Sequence, residues 1–117
     1  MIPERTRVNP DSGEVFYDGN VGLGTSLMFP WSSDLNVVRL GDLASIVTTK
    51  IPGGGGFMAS GYNYYTDADM VDRYMAAGGA NKIVTSNQGT YSYQAPVGVP
   101  GDQIDWQGNG SFALIGA

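Results

Sequence analysis

The chain contains no cysteine and no histidine. Without cysteine, neither a disulfide nor a thiolate-bound metal can hold it together. Without histidine it lacks the commonest general base and the commonest metal ligand. Charge is scarce as well: Asp, Glu, Lys and Arg make up 15% of the residues, against about 25% in an average soluble domain. Lysine occurs at Lys50 and Lys82 alone. The net charge is −5, and the basic residues (Arg5, Arg7, Arg39, Lys50, Arg73 and Lys82) are scattered. Nucleic acid and anionic membranes require clustered cations, so neither is an expected partner. No apolar run approaches the roughly 20 residues of a membrane-spanning helix. The opening residues, MIPERTRVNPDSGE, include no apolar stretch of the kind a secretory signal needs. These absences predict synthesis in the cytoplasm without a signal peptide.

Glycine is abundant, at 18 residues, and is accompanied by seven Tyr, five Met, four Phe and two Trp. Protein interface cores show the same bias, being poor in Lys and Glu and rich in aromatic residues and Met. A length of 117 residues suits one hydrophobic core that buries roughly two-thirds of the unfolded chain's surface. The expected organisation is a single domain, 1–117, with extended N- and C-terminal segments and a Gly-rich loop at 52–61.

The local patterning is mainly β. Residues 6–8 and 14–17 flank NPDSG, whose Pro, Asp, Ser and Gly supply turn chemistry, and they read as a hairpin. TSLMF (25–29) reads as a strand stopped by Pro30. LNVVRLGDLASIVTTKI reads as two strands broken near Gly41-Asp42, because Val38, Ile46, Val47, Thr48 and Thr49 favour extended structure. KIVTS (82–86) and TYSYQ (90–94) flank NQG as a second hairpin. In its second strand Tyr91 and Tyr93 share one face, opposite Thr90, Ser92 and Gln94. QIDW and SFALI around QGNG suggest a third hairpin. One short amphipathic helix is predicted at about 67–77. Thr66 would cap it, Asp69 would pair with Arg73, Met70, Val71, Tyr74 and Met75 would form its apolar stripe, and Gly78 would end it. The predicted fold is a small antiparallel β-sandwich or barrel built from hairpins, with this helix packed on it.

The glycine run Gly53–Gly56 invites a phosphate-binding reading. A phosphate loop also needs a lysine and a helix N-terminus directly behind it, and here Phe57 and Met58 follow. Gly19, Gly22 and Gly24 stand in the reverse order of the dinucleotide fingerprint. Asp67, Asp69 and Asp72 are accounted for by the predicted helix, whose N-terminus favours negative charge. Asp102 and Asp105 beside Trp106 have the composition of a sugar site, and DSGE (11–14) lacks the spaced oxygen ligands of a calcium loop. Serine and threonine are plentiful, yet neither Lys50 nor Lys82 stands in a context that would activate them.

No catalytic residue, metal site or cofactor is therefore expected, and the chain is not read as an enzyme. The composition points to a structural or assembly protein that works through contacts with other protein subunits, as a homo-oligomer or in a larger assembly. A small virion component, a bacteriophage capsid-decorating (cement) or tail protein, suits such a composition. The alternative is a carbohydrate-binding β module using exposed aromatic residues. Partner-interface candidates are Trp31, Phe57, Met58, Tyr62, Tyr64, Tyr65, Trp106 and Phe112. Phe57 and Met58 are expected to be presented by the pliant Gly-rich loop.

Overall fold

Alternating and β-branched residues set out eleven short strands in a computed structural model of the chain, which describes residues 6–12, 15–17, 19–50 and 56–111. β1 (Thr6–Val8) and β2 (Val15–Tyr17) form the expected antiparallel hairpin, with Thr6 opposite Tyr17. Seven strands form one mixed sheet: β3 (Val21–Leu23), β4 (Leu35–Leu40), β5 (Ala44–Thr49), β6 (Phe57–Tyr62), β9 (Gly78–Ser86), β10 (Gly89–Gly98) and β11 (Gln107–Ser111). Their spatial order is β11-β10-β9-β6-β5-β4-β3, which places β6 at the centre. All neighbours are antiparallel except β3 and β4. A small hairpin of β7 (Tyr64–Thr66) and β8 (Asp72–Tyr74) stands apart from this sheet.

The register divides the side chains into two faces. Leu35, Val37 and Arg39 of β4 lie in line with Val47 and Ser45 of β5, and beyond them with Ala59 and Gly61 of β6. This inner face is covered. Parallel strands cannot be joined by a tight turn, so the chain between β3 and β4 runs from residue 24 to 34 and carries Trp31. Trp31 packs on both core clusters: Leu35, Val37 and Val47 in one, Tyr64, Tyr74, Ala80, Ala95 and Ile104 in the other. It meets the rings of Tyr64 and Tyr65 edge-on, and Trp106 meets Tyr64 from another side. Each such ring pair adds about 0.5–1.5 kcal/mol beyond the area it buries.

Two tyrosines lie on glycines. The Tyr64 ring covers Gly61, where a Cβ would overlap the ring and the Asn81 carbonyl, and Tyr74 covers Gly98 in the same way. Tyr74 Oη donates to the Pro96 carbonyl at 2.6 Å. Asn63, buried and in the left-handed region (φ 64°), turns the chain between β6 and β7. Its Oδ1 accepts the Ala76 amide, and its Nδ2 lies within 3.0–3.3 Å of the Ala76, Gly78 and Gly79 carbonyls.

Several expectations are corrected. There is no helix at 67–77; that segment is the β7–β8 hairpin. Asp67 decides the matter, since its Oδ1 accepts the amides of Asp69 and Val71 and closes a turn that Met70 completes at φ 61°. Thr66 does not cap a helix but donates its hydroxyl to Asp72. Arg73 pairs with Asp67, at 2.6 Å, in place of Asp69. The sheet is open, so no barrel closes. TSLMF is not a strand; the strand in this region is β3, within GNVGLG. The 87–89 loop is a two-residue turn, because Gly89 already pairs with Ser86. Gln107–Ser111 is itself a strand on β10, so the third hairpin does not form, and the remainder of SFALI lies outside the described residues. Phe57 and Met58 belong to β6 and not to a loop, while residues 51–55 lie outside the described residues.

Two outcomes follow from this packing. Gly61→Ala is expected to cost about 2–3 kcal/mol in urea unfolding, because the added methyl meets a ring and a backbone carbonyl that cannot both move. The second concerns acid. The Arg73 hydrogen bond, helped by the Val71 amide, holds the Asp67 carboxyl below its ordinary value of 3.8. Its stabilising contribution is therefore complete above that ordinary value and is lost as pH falls through the lowered folded one. Amide exchange at Val71 should accelerate in that acidic window, and Asp67→Asn should flatten the dependence.

Candidate functional site

Both cations on the sheet point inward. Arg39 is buried, donates to the carbonyls of Leu27 and Asp42, and sits 5.0 Å from the Phe29 ring centre. Burial holds its pKa below the ordinary value, with Asp42 opposing the shift. Lys82 donates to Asp72 Oδ2 at 2.6 Å and lies 4.9 Å from the Trp106 ring and 5.6 Å from those of Tyr64 and Tyr93. Asp72 also accepts the Trp106 indole N–H at 2.8 Å and the Thr66 hydroxyl at 2.6 Å. With three donors on one carboxylate, this cluster is internally satisfied and holds the β7–β8 hairpin on the sheet. Burial, reinforced by the Asp72 charge, raises the Tyr64 phenol well above its ordinary range. Tyr64 therefore stays neutral at any physiological pH and is unsuited to act as a base.

The outer face is the opposite in character. Its outward positions are Val21 and Leu23 on β3, Asn36, Val38 and Leu40 on β4, and Ala44, Ile46 and Thr48 on β5. They continue through Met58, Ser60 and Tyr62 on β6, Asn81, Ile83 and Thr85 on β9, and Thr90, Ser92 and Gln94 on β10. None of these residues is charged. Leu23, Val38, Leu40, Ile46, Met58, Tyr62 and Ile83 are exposed to between 36% (Val38) and 54% (Leu23), and Val21 is half-buried. Ser60 sits between its cross-strand neighbours Ile46 and Ile83, and the dip over it opens a shallow hollow of about 540 Å³ bordered by Leu40, Ala44 and Tyr62. A sheet polar on one side would alternate apolar and polar residues. Here β4 and β5 carry large apolar residues at both parities, with Val37 inward and Val38 outward, and Val47 inward and Ile46 outward.

The eight candidates from the sequence separate accordingly. Met58 (46% exposed) and Tyr62 (51%) lie on the outer face, where the hollow brings Tyr62 together with Ile46 and Ile83. Tyr64 and Tyr65 are buried in the chain's own core, so they are not free to meet a partner. Trp31, Phe57 and Trp106 are half-buried against the inner clusters. Phe112 lies outside the described residues. Sequence reasoning missed Val38, Leu40, Ile46 and Ile83. The signal was present in Val37-Val38 and Ile46-Val47, adjacent apolar pairs that place an apolar side chain on each face of the strand.

Asp102 and Asp105, raised as a sugar site, are both exposed. The Asp102 amide donates to Val99, and its carbonyl accepts the Tyr74 amide. Among the residues whose exposure is described, Tyr62 is the sole aromatic with a large exposed fraction. No group of three or more carboxylates among these residues is placed to hold a metal, and no helix is long and apolar enough to cross a membrane. Comparison with protein-family models, curated proteins and solved structures finds no match to this chain.

Lys82→Met tests whether the Asp72 cluster is structural. The substitution keeps the stem among the rings but strips one donor from a largely buried carboxylate. A loss of about 3 kcal/mol in denaturant unfolding is expected, with the dimension and exposure of the outer face unchanged.

Proposed function

We propose that this chain is a structural, assembly-type protein that acts through protein–protein contacts made by the outer face of its sheet, without catalysis or cofactor. The observation that carries this reading is that this face has no charged outward position and exposes Leu23, Val38, Leu40, Ile46, Met58, Tyr62 and Ile83. Exposed apolar patches of several hundred Å² on soluble proteins mark interaction sites, and neutral faces rich in Ile, Leu, Met and Tyr resemble interface cores. The chain places its sheet cations inward, at Arg39 and Lys82, and keeps charge off the outward positions of six strands. Within this class, the scarcity of charge and the wealth of glycine and aromatic residues favour a small virion component, a bacteriophage capsid-decorating or tail protein.

The test is the size of the species that contains the chain in its native setting. A tagged chain, produced in the organism that makes it and fractionated under native conditions, should elute far above its 12.4 kDa monomer mass. Ile46→Lys should return it to monomer size with an unchanged circular dichroism spectrum. A wild-type chain that elutes as a monomer there overturns the reading.

A further inference from the structure

We infer that the occupant of the outer face is a second copy of this chain, stacked face to face across a two-fold axis that passes near Ser60. The inference rests on the assembly reading above and adds the identity of the partner.

Three observations carry it. The first is charge. The chain carries a net charge of −5, so most of its surface repels another copy. The outer face, with no charged outward position, is where two copies meet without like-charge repulsion. It also offers nothing to select a basic or acidic partner.

The second is area. The six strands β3 to β6, β9 and β10 present two or three outward residues each over a footprint of roughly 30 × 20 Å, or on the order of 600 Å² per copy. Two copies then bury roughly 1,200 Å², the lower bound for specific protein interfaces. A segment lying in the hollow over Ser60 would leave Leu23, Val38 and Met58 wet, whereas a second sheet covers them all.

The third is symmetry. β6 is the middle strand of seven, and Ser60 is within it, flanked by Ile46 and Ile83 at matching positions on the neighbouring strands. The exposed apolar positions lie mainly on β3 to β6, with Ile83 on β9 and polar residues outward on β10, so a two-fold axis running across the strands sets this part of the face against the same part of the second copy, an isologous contact that closes at two. Stacked sheets lie about 10 Å apart with strands inclined by about 30°. The pair is then a β-sandwich whose two layers come from two chains.

The absence of cysteine makes the test clean. Sedimentation equilibrium of the purified chain should give twice the 12.4 kDa mass. Ile83→Lys should weaken the dimer at least a hundredfold, because each copy then presents a charge to a dry face. Met28→Lys, at a residue 93% exposed and off this face, should leave the dimer intact. Ser60→Cys should be cross-linked to its counterpart in high yield by a bis-maleimide of about 10 Å span, and Met28→Cys should not. A dimer that ignores Ile83→Lys, or that fails to link through Cys at position 60, overturns the inference. So does a monomer at 100 µM. If that monomer still enters a large native species, the second copy is excluded and the assembly reading stands. If the native species is also monomeric, both readings fall.

Discussion

Asn63 is the constraint on which the rest of the structure depends. It stands in a left-handed backbone conformation that only glycine and a few polar residues adopt readily. Its buried side chain joins the end of β6 to the carbonyls of residues 76–79, just where β9 begins. Its own amide donates to Leu43, and its carbonyl accepts Met75. One residue thus ties the β4–β5 corner, the central strand and the entry to β9. A buried amide with this many partners is costly to leave unmade, which makes the turn specific as well as stable. The reversal at Asn63 sends β7 beneath the sheet and sets Tyr64 on Gly61.

From that reversal follows the asymmetry between the two faces. The inner face receives Tyr64, Tyr74, Trp31, Ile104 and Trp106 as a cover, and under this cover Arg39 and Lys82 find carbonyl, carboxylate and ring partners. On the other face, Leu23, Val38, Leu40, Ile46, Met58, Tyr62 and Ile83 remain 36–54% exposed. The sheet thus carries apolar residues on both sides and a cover on one. The lysine of the sheet, Lys82, serves as an internal link to Asp72.

Much of the β structure was legible in the residues. The hairpin around NPDSG, the break at Gly41-Asp42 and the shared face of Tyr91 and Tyr93 all appear as their turn residues and alternation indicate. The segment 67–77 was not legible. Its Met70, Val71, Tyr74 and Met75 spacing fits one helical face, and Thr66 and Asp69 imitate a cap. A helix of this length gains little from local propensity alone, and here the competing contacts are long-range. Tyr74 finds Gly98, Asp72 finds Lys82 and Trp106, and Asp67 closes a turn of its own. The Asp67 turn is local, spanning four residues, but the partners of Asp72 lie 10 and 34 residues away and Gly98 lies far beyond Tyr74, outside any local window.

The interface candidates show the same limit. By itself the sequence determined that the chain is mainly β, poor in charge, without cysteine or histidine, and rich in the side chains that interfaces use. Those properties belong to composition and to nearest-neighbour geometry. Which aromatic residues are core and which are surface was decided by tertiary structure alone. Tyr62 and Tyr64 are two residues apart and would share a face in a regular strand. The left-handed turn at Asn63 separates them, leaving Tyr62 on the open outer face and Tyr64 in the core.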